Sequence, residues 1–91
     1  MLTEFYDSLK HGDKVRVQFR DAISSGKTVA LTVTSGHRVV GKAKVGRIIL
    51  KPTNLERRNV VKFYLYKRGD DVSFAIGDMA AVVIGFEKVG G

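Results

Sequence analysis

Along most of the chain, polar and apolar residues alternate with period two, and only the first dozen positions depart from that pattern. There Leu2, Phe5, Tyr6 and Leu9 recur at helical spacing, Thr3 is placed as an N-cap, Glu4 sits where the helix dipole favours an acid, and Gly12 ends the run. This predicts one short helix over Leu2 to His11. From Asp13 the period becomes two: Val15, Val17 and Phe19 alternate with Lys14, Arg16, Gln18 and Arg20, the pattern of a half-buried strand. Asp21 to Lys27 reads as a loop. Val29, Leu31 and Val33 then alternate with Thr28, Ala30, Thr32 and Thr34 as a second strand rich in β-branched residues.

Ser35-Gly36-His37 has hairpin-turn chemistry, and Val39, Gly41, Ala43 and Val45 continue as an inner face opposite Arg38, Val40, Lys42 and Lys44. Beyond Gly46 the inner set becomes Ile48 and Leu50, with Arg47 and Lys51 outside. A parity flip at a glycine inside a continuous strand predicts a bulge or sharp bend, as at the corner of a barrel. Pro52 to Asn59 is the longest polar loop. Val61, Phe63 and Leu65 then point inward and Lys62, Tyr64 and Tyr66 outward. Arg68-Gly69-Asp70-Asp71 turns the chain into Val72, Phe74 and Ile76, and Gly77-Asp78-Met79 breaks it before a last strand from Ala80 to Phe86. Gly-Asp thus recurs as a strand-entry turn at 12-13, 69-70 and 77-78. The sum is mainly β: one short helix and five to six short strands, curled into a small barrel that leaves few open edges.

Composition keeps this to one folded unit. With 44% hydrophobic and 27% charged residues the chain is of globular type, and 91 residues suit one core. The helix, 1–12, is expected to pack on a barrel spanning 13–89, and residues 90–91, Gly-Gly, read as the start of a linker. Cysteine is absent, so neither a disulfide nor a thiolate–zinc site supports the core. The longest apolar run, Met79 to Ile84, is far short of the ~20 residues of a membrane-spanning helix. No basic region followed by an apolar stretch opens the chain. The expected location is cytoplasmic, and nucleoid-associated if the source is a bacterium or phage.

Charge alters the picture more. Sixteen Lys plus Arg face nine Asp plus Glu, a formal +7. Residues 1–26 are balanced and residues 69–91 are acidic, whereas 27–68 hold eleven bases (Lys27, Arg38, Lys42, Lys44, Arg47, Lys51, Arg57, Arg58, Lys62, Lys67, Arg68) against Glu56 alone, a local +10. Such a segment repels itself unless something anionic binds, so a polyanion is the expected partner. The outward row Lys62, Tyr64, Tyr66 interleaves a cation with two rings, the combination that stacks a base and pairs a phosphate, although outward tyrosines in a strand also serve plain cross-strand packing. Lys42 and Lys44 on one strand face and Arg57-Arg58 on a loop suit phosphate contact, which needs charge and reach. Arg38, Arg47, Lys51, Lys67 and Arg68 complete the candidate binding set.

His11-Gly12-Asp13-Lys14-Val15-Arg16-Val17 resembles the Gly-Asp-x-Val-x-Val opening of KOW and Tudor-type SH3-like barrels, in which a turn feeds the first barrel strand. The glycine-rich turn usual after this opening is replaced here by Arg20 to Gly26, so the resemblance covers about ten residues and implies an SH3-like barrel more than a function. A small, basic, cysteine-free chain of this kind is also similar to the N-terminal region of the phage MotB-type transcription modulators, which implies DNA binding.

Other chemistries find little support. His11 and His37 have no carboxylate at ligand spacing, so no metal and no cofactor is expected. A nucleophile elbow, a phosphate-cradling glycine loop and a paired-carboxylate site are all missing, and the chain does not read as an enzyme or as a binder of a small-molecule substrate. Arg68-Gly69-Asp70 spells an adhesion tripeptide, but a hairpin turn wants Gly and Asp for backbone reasons alone. An aromatic cage for methylated lysine would have to draw on Tyr6, Tyr64 and Tyr66. The expectation is a binding module that grips the DNA backbone with little sequence preference and modulates transcription or DNA packing, RNA being the other candidate nucleic acid. The competing expectation is an adaptor that docks on an acidic surface of polymerase, ribosome or nucleoid protein.

Overall fold

The helical spacing at the N-terminus forms α1, Leu2–Ser8, which buries Phe5 and Tyr6 against the rest of the chain. The computed structural model describes residues 2–22, 26–40, 43–54 and 61–90 and, of residues 38–40 and 43–45, the backbone alone. Helix α1 is shorter than its apolar spacing predicts. Its last turn gives way to a turn closed by Asp13, whose Oδ2 accepts from the Lys10 N–H at 2.9 Å while its own N–H donates to the Lys10 carbonyl at 3.0 Å. Thr3 lies inside the first turn and is not the cap: its hydroxyl donates to the Asp70 carbonyl at 3.3 Å, fastening the helix to a distant turn.

Seven strands follow: β1 Lys14–Arg20, β2 Lys27–Ser35, β3 Arg38–Val40, β4 Ala43–Pro52, β5 Phe63–Arg68, β6 Asp71–Ile76 and β7 Met79–Lys88. All pairings are antiparallel, in the order β2-β1-β7-β6-β5-β4-β3, and an additional pairing of β2 with β4 closes six of the strands into a barrel. Closure removes the free edges that a flat sheet of this size would present. The mainly β barrel with one N-terminal helix is the fold that the alternation predicts.

The segment read as one bent strand from Arg38 to Lys51 is in fact two. Strand β3 folds back on the start of β4, with Arg38 opposite Val45, Val39 opposite Lys44 and Val40 opposite Ala43. Alternation is blind to such a reversal, because both arms of a hairpin keep period two. The inner face assigned to Val39, Gly41, Ala43 and Val45 falls on residues whose side chains, or whole positions, lie outside those described. The backbone does change course at the glycine. Gly46 has φ 96°, a left-handed backbone that side chains disfavour, and there β4 leaves its partner β3 and begins to pair with β5, Gly46 opposite Lys67. Register shifts lie elsewhere, between Gln18 and Phe19 against β7 and between Val33 and Ser35 against β4.

Gly69-Asp70 and Gly77-Asp78 form two-residue hairpin turns. They connect Arg68 to Asp71 and Ile76 to Met79, and both glycines have φ 61°, the requirement of a primed turn at its first central residue. Inside the barrel, Val15, Val17 and Phe19 of β1 meet Leu31 and Val33 of β2, Ile48 and Leu50 of β4, Phe63 and Leu65 of β5 and Phe74 of β6, all buried. Phe19, Phe63 and Phe74 fill one end, their ring centroids 5.7 to 6.4 Å apart. The other end is closed by α1, with Phe5 against Phe86 at 4.5 Å. Each such burial stabilises by about 1.5 to 3 kcal/mol, and in a chain without cysteine these contacts do the holding.

Candidate nucleic-acid interface

Because side chains alternate across a strand, burying Ile48 and Leu50 of β4 and Phe63 and Leu65 of β5 turns Arg47, Ile49 and Lys51, and Lys62, Tyr64, Tyr66 and Arg68, to the outer surface. Register puts Arg47 opposite Tyr66 and Ile49 opposite Tyr64. The two tyrosine rings lie 5.8 Å apart at 41°, and the Arg47 guanidinium leans diagonally over the Tyr64 ring, 4.9 Å from its centroid. An Arg at that distance over a ring gains cation–π attraction and is held flat on the sheet. The face is therefore aromatic in its middle and cationic around it.

The ion pairs say which of the sixteen cations are already spoken for. Among the described residues, Arg16 pairs with Glu87 at 2.7 Å, Lys88 with Asp13 at 3.3 Å, and Lys67 with Asp7 at 3.1 Å. Arg47, Lys51, Lys62 and Arg68 have no described carboxylate partner. Lys67 stands apart from the candidate binding set in which the sequence places it: with a side chain only 17% exposed, it reaches the Asp7 carboxylate and lies 5.7 Å from the centroid of the Tyr6 ring. Of the other candidates, Lys42, Arg57 and Arg58 lie outside the described residues, and Arg38 and Lys44 are placed by backbone on the β3–β4 ribbon.

That ribbon is rooted in the helix. The Tyr6 hydroxyl donates to the Gly46 carbonyl at 2.8 Å, and the His37 Nε2–H donates to the Tyr6 carbonyl, with the two rings edge to face at 4.6 Å. One buried residue, through its hydroxyl and its backbone carbonyl, thus grips both ends of the β3–β4 segment, at the residue before it and at the bend after it. Burial, with the Asp7 charge beside it, raises the Tyr6 phenol above its ordinary range. Asp13 shifts the other way: the Lys10 backbone N–H, then Lys88, hold its carboxyl below the usual value. A cage of Tyr6 with Tyr64 and Tyr66 is not formed, since Tyr6 is wholly buried beneath α1.

Beside Tyr66 the surface sinks into an open depression of about 750 Å³ between Arg47, Arg68, Asp71 and Ser73. Asp71 and Ser73 escaped the reading of the sequence, yet the turn at Gly69-Asp70 contains them implicitly: a two-residue hairpin that pairs Arg68 with Asp71 must also pair Tyr66 with Ser73. On the opposite side of the barrel, Val82 and Ile84 of β7 stand about half exposed, at 54% and 49%. Among the described residues no three His, Cys, Asp or Glu side chains converge where a metal could be held, and no helix is long and apolar enough to cross a membrane. No family model matches the chain, and neither a curated protein nor a solved structure matches it.

Proposed function

We propose that this protein is a DNA-binding module that contacts the phosphate backbone with little sequence preference through the outer face of β4 and β5 and the adjoining β3–β4 ribbon, and so modulates transcription or DNA packing. The observation that carries the reading is the set of cations in no ion pair among the described residues, Arg47, Lys51, Lys62 and Arg68, on one face, while Arg16, Lys67 and Lys88 are engaged by Glu87, Asp7 and Asp13 of the two chain ends. A net charge of +7 concentrated in this way attracts a polyanion over a Debye length of about 8 to 10 Å. The partial resemblance to KOW and Tudor-type SH3-like barrels and to the MotB-type modulators points in the same direction. The helix is an unsuitable reader of the major groove, being seven residues long and committed to closing the barrel, so backbone and groove-shape contact is favoured over helical base reading.

The test is titration of random-sequence duplex DNA, with duplex RNA beside it, at several salt concentrations. Binding should weaken with salt at about −0.9 in log K per phosphate contact on duplex DNA, and four contacts would give a slope near −4. Absence of salt-dependent binding to either nucleic acid removes the reading. The second reading, an adaptor on an acidic protein surface, draws its support from the exposed Val82 and Ile84, which a nucleic-acid interface on β4 and β5 does not use.

A further inference from the structure

The depression beside Tyr66 has a composition that phosphate binding alone does not require. It is lined by Tyr66, a residue 36% exposed, by the small side chain of Ser73 directly across the ladder, and by the cations Arg47, Lys67 and Arg68, of which Lys67 is engaged by Asp7. Asp71 is also there, exposed and in no ion pair among the described residues. A bare carboxylate is unfavourable in a site meant only for phosphate, because it repels the ligand. It suits a ligand that brings hydrogen-bond donors of its own next to its negative charge.

An unpaired nucleotide base is such a ligand. Its flat face stacks on a tyrosine, its phosphates meet guanidinium groups, and its edge presents donors and acceptors to polar side chains. Neighbouring outward positions on β6 are Ser73 and Ala75, so no tall side chain on that strand blocks the approach of a planar group to the Tyr64–Tyr66 pair. Of the four bases, guanine presents two adjacent donors, N1–H and N2–H, on one edge, and a carboxylate can accept both at once. In duplex DNA that edge is engaged in pairing, so the depression discriminates for single strands.

We propose that this depression is a subsite for one unpaired guanine nucleotide of single-stranded DNA, with the base stacked on Tyr66, its donor edge on Asp71 and the flanking phosphates on Arg47 and Arg68. The assignment rests on the DNA-binding reading above and adds to it a preference between strands and between bases.

The experiment measures fluorescence anisotropy of the full chain with a labelled ten-nucleotide oligothymidine, with the same strand carrying one central guanine or one central adenine, and with a random duplex. The guanine strand should bind at least about fivefold tighter than the other two, the lower end of the discrimination that one bidentate side-chain–base contact gives. Asp71→Asn should level guanine with adenine without weakening duplex binding, since it removes a charge that repels phosphate. Tyr66→Ala should weaken all single strands by at least about fivefold while Tyr66→Phe retains binding, and a melting curve establishes that each variant is folded. Ser73→Leu fills the depression and leaves Tyr66 itself in place, and should reproduce the loss if Tyr66→Ala proves too unstable to assay. Equal binding of the three single strands by the unaltered protein overturns the guanine subsite and leaves phosphate binding standing. Failure to bind any strand, duplex included, overturns both.

Discussion

The hydroxyl of Tyr6 donates to the carbonyl of Gly46 at 2.8 Å, joining a seven-residue helix to the residue at which β4 bends into the barrel, forty positions further along the chain. Because the backbone carbonyl of the same tyrosine takes the His37 ring N–H, the ribbon that carries Arg38 and Lys44 is held at both ends by one buried residue. The N-terminal helix, whose only charged residues are Glu4 and Asp7 and which lies far from the basic segment in sequence, therefore governs how that segment is presented.

Tyr6→Phe keeps the ring and removes this bond, leaving the Gly46 carbonyl without its donor. Loss of about 1 kcal/mol in urea denaturation is expected. Duplex DNA affinity should fall as well, though no charge has changed, since the root of the ribbon is loosened. An unaltered affinity would show that the ribbon takes no part in binding.

The raised Tyr6 phenol makes a statement about alkaline pH. The folded state holds the proton more tightly than the unfolded chain, so its contribution to stability is whole below the unfolded value of 10.0 and is lost as pH climbs above it. Chemical denaturation between pH 9 and pH 11 should show that decline. In Tyr6→Phe the slope should be shallower.

Asp13 behaves in the opposite sense. Its carboxyl is held low by the Lys10 N–H and by Lys88, so the folded state binds the proton less readily than the unfolded chain, whose value is 3.8. Stability from this group is present above that value and is lost on acidification below it. Asp13→Asn should flatten the acid limb of the stability profile, and an unchanged limb would mean that other carboxylates set it.

At Gly46 the cost of a side chain is conformational. A Cβ built there meets nothing within 4 Å, but φ is 96°, so Gly46→Val is expected to destabilise by roughly 1 to 3 kcal/mol through backbone strain while leaving a folded, β-rich protein by circular dichroism. A loss of less than ~0.5 kcal/mol would mean that the bend relaxes freely.

Lys51→Gln together with Lys62→Gln tests the charged face. Two phosphate contacts removed should flatten the duplex salt slope by about 1.8 and weaken all sequences alike. Lys10→Gln, an exposed cation outside the face, is the control and should leave the slope as it was.

Alternation alone was enough to define most of the barrel wall. Val15, Val17 and Phe19, Leu31 and Val33, and Phe63 and Leu65 point inward as their spacing requires, because a strand has two faces and only one can be buried. The Gly-Asp turns were legible for a similar reason, since few residues accept the backbone of a two-residue hairpin. The candidate cations were legible only as a census. Composition counts eleven bases in the middle segment but cannot tell that Lys67 is claimed by Asp7, sixty positions away, while Arg47, Lys51, Lys62 and Arg68 are not. Nor does period two distinguish one bent strand from the β3–β4 ribbon, because reversal preserves the period. Pairing register and long-range contact decided these points: Tyr6 under Gly46, Asp7 on Lys67, and Ser73 across from Tyr66 are juxtapositions of residues distant or separated by a turn. Local pattern fixes which face of each element is buried, and only closure of the barrel determines which outward side chains become neighbours.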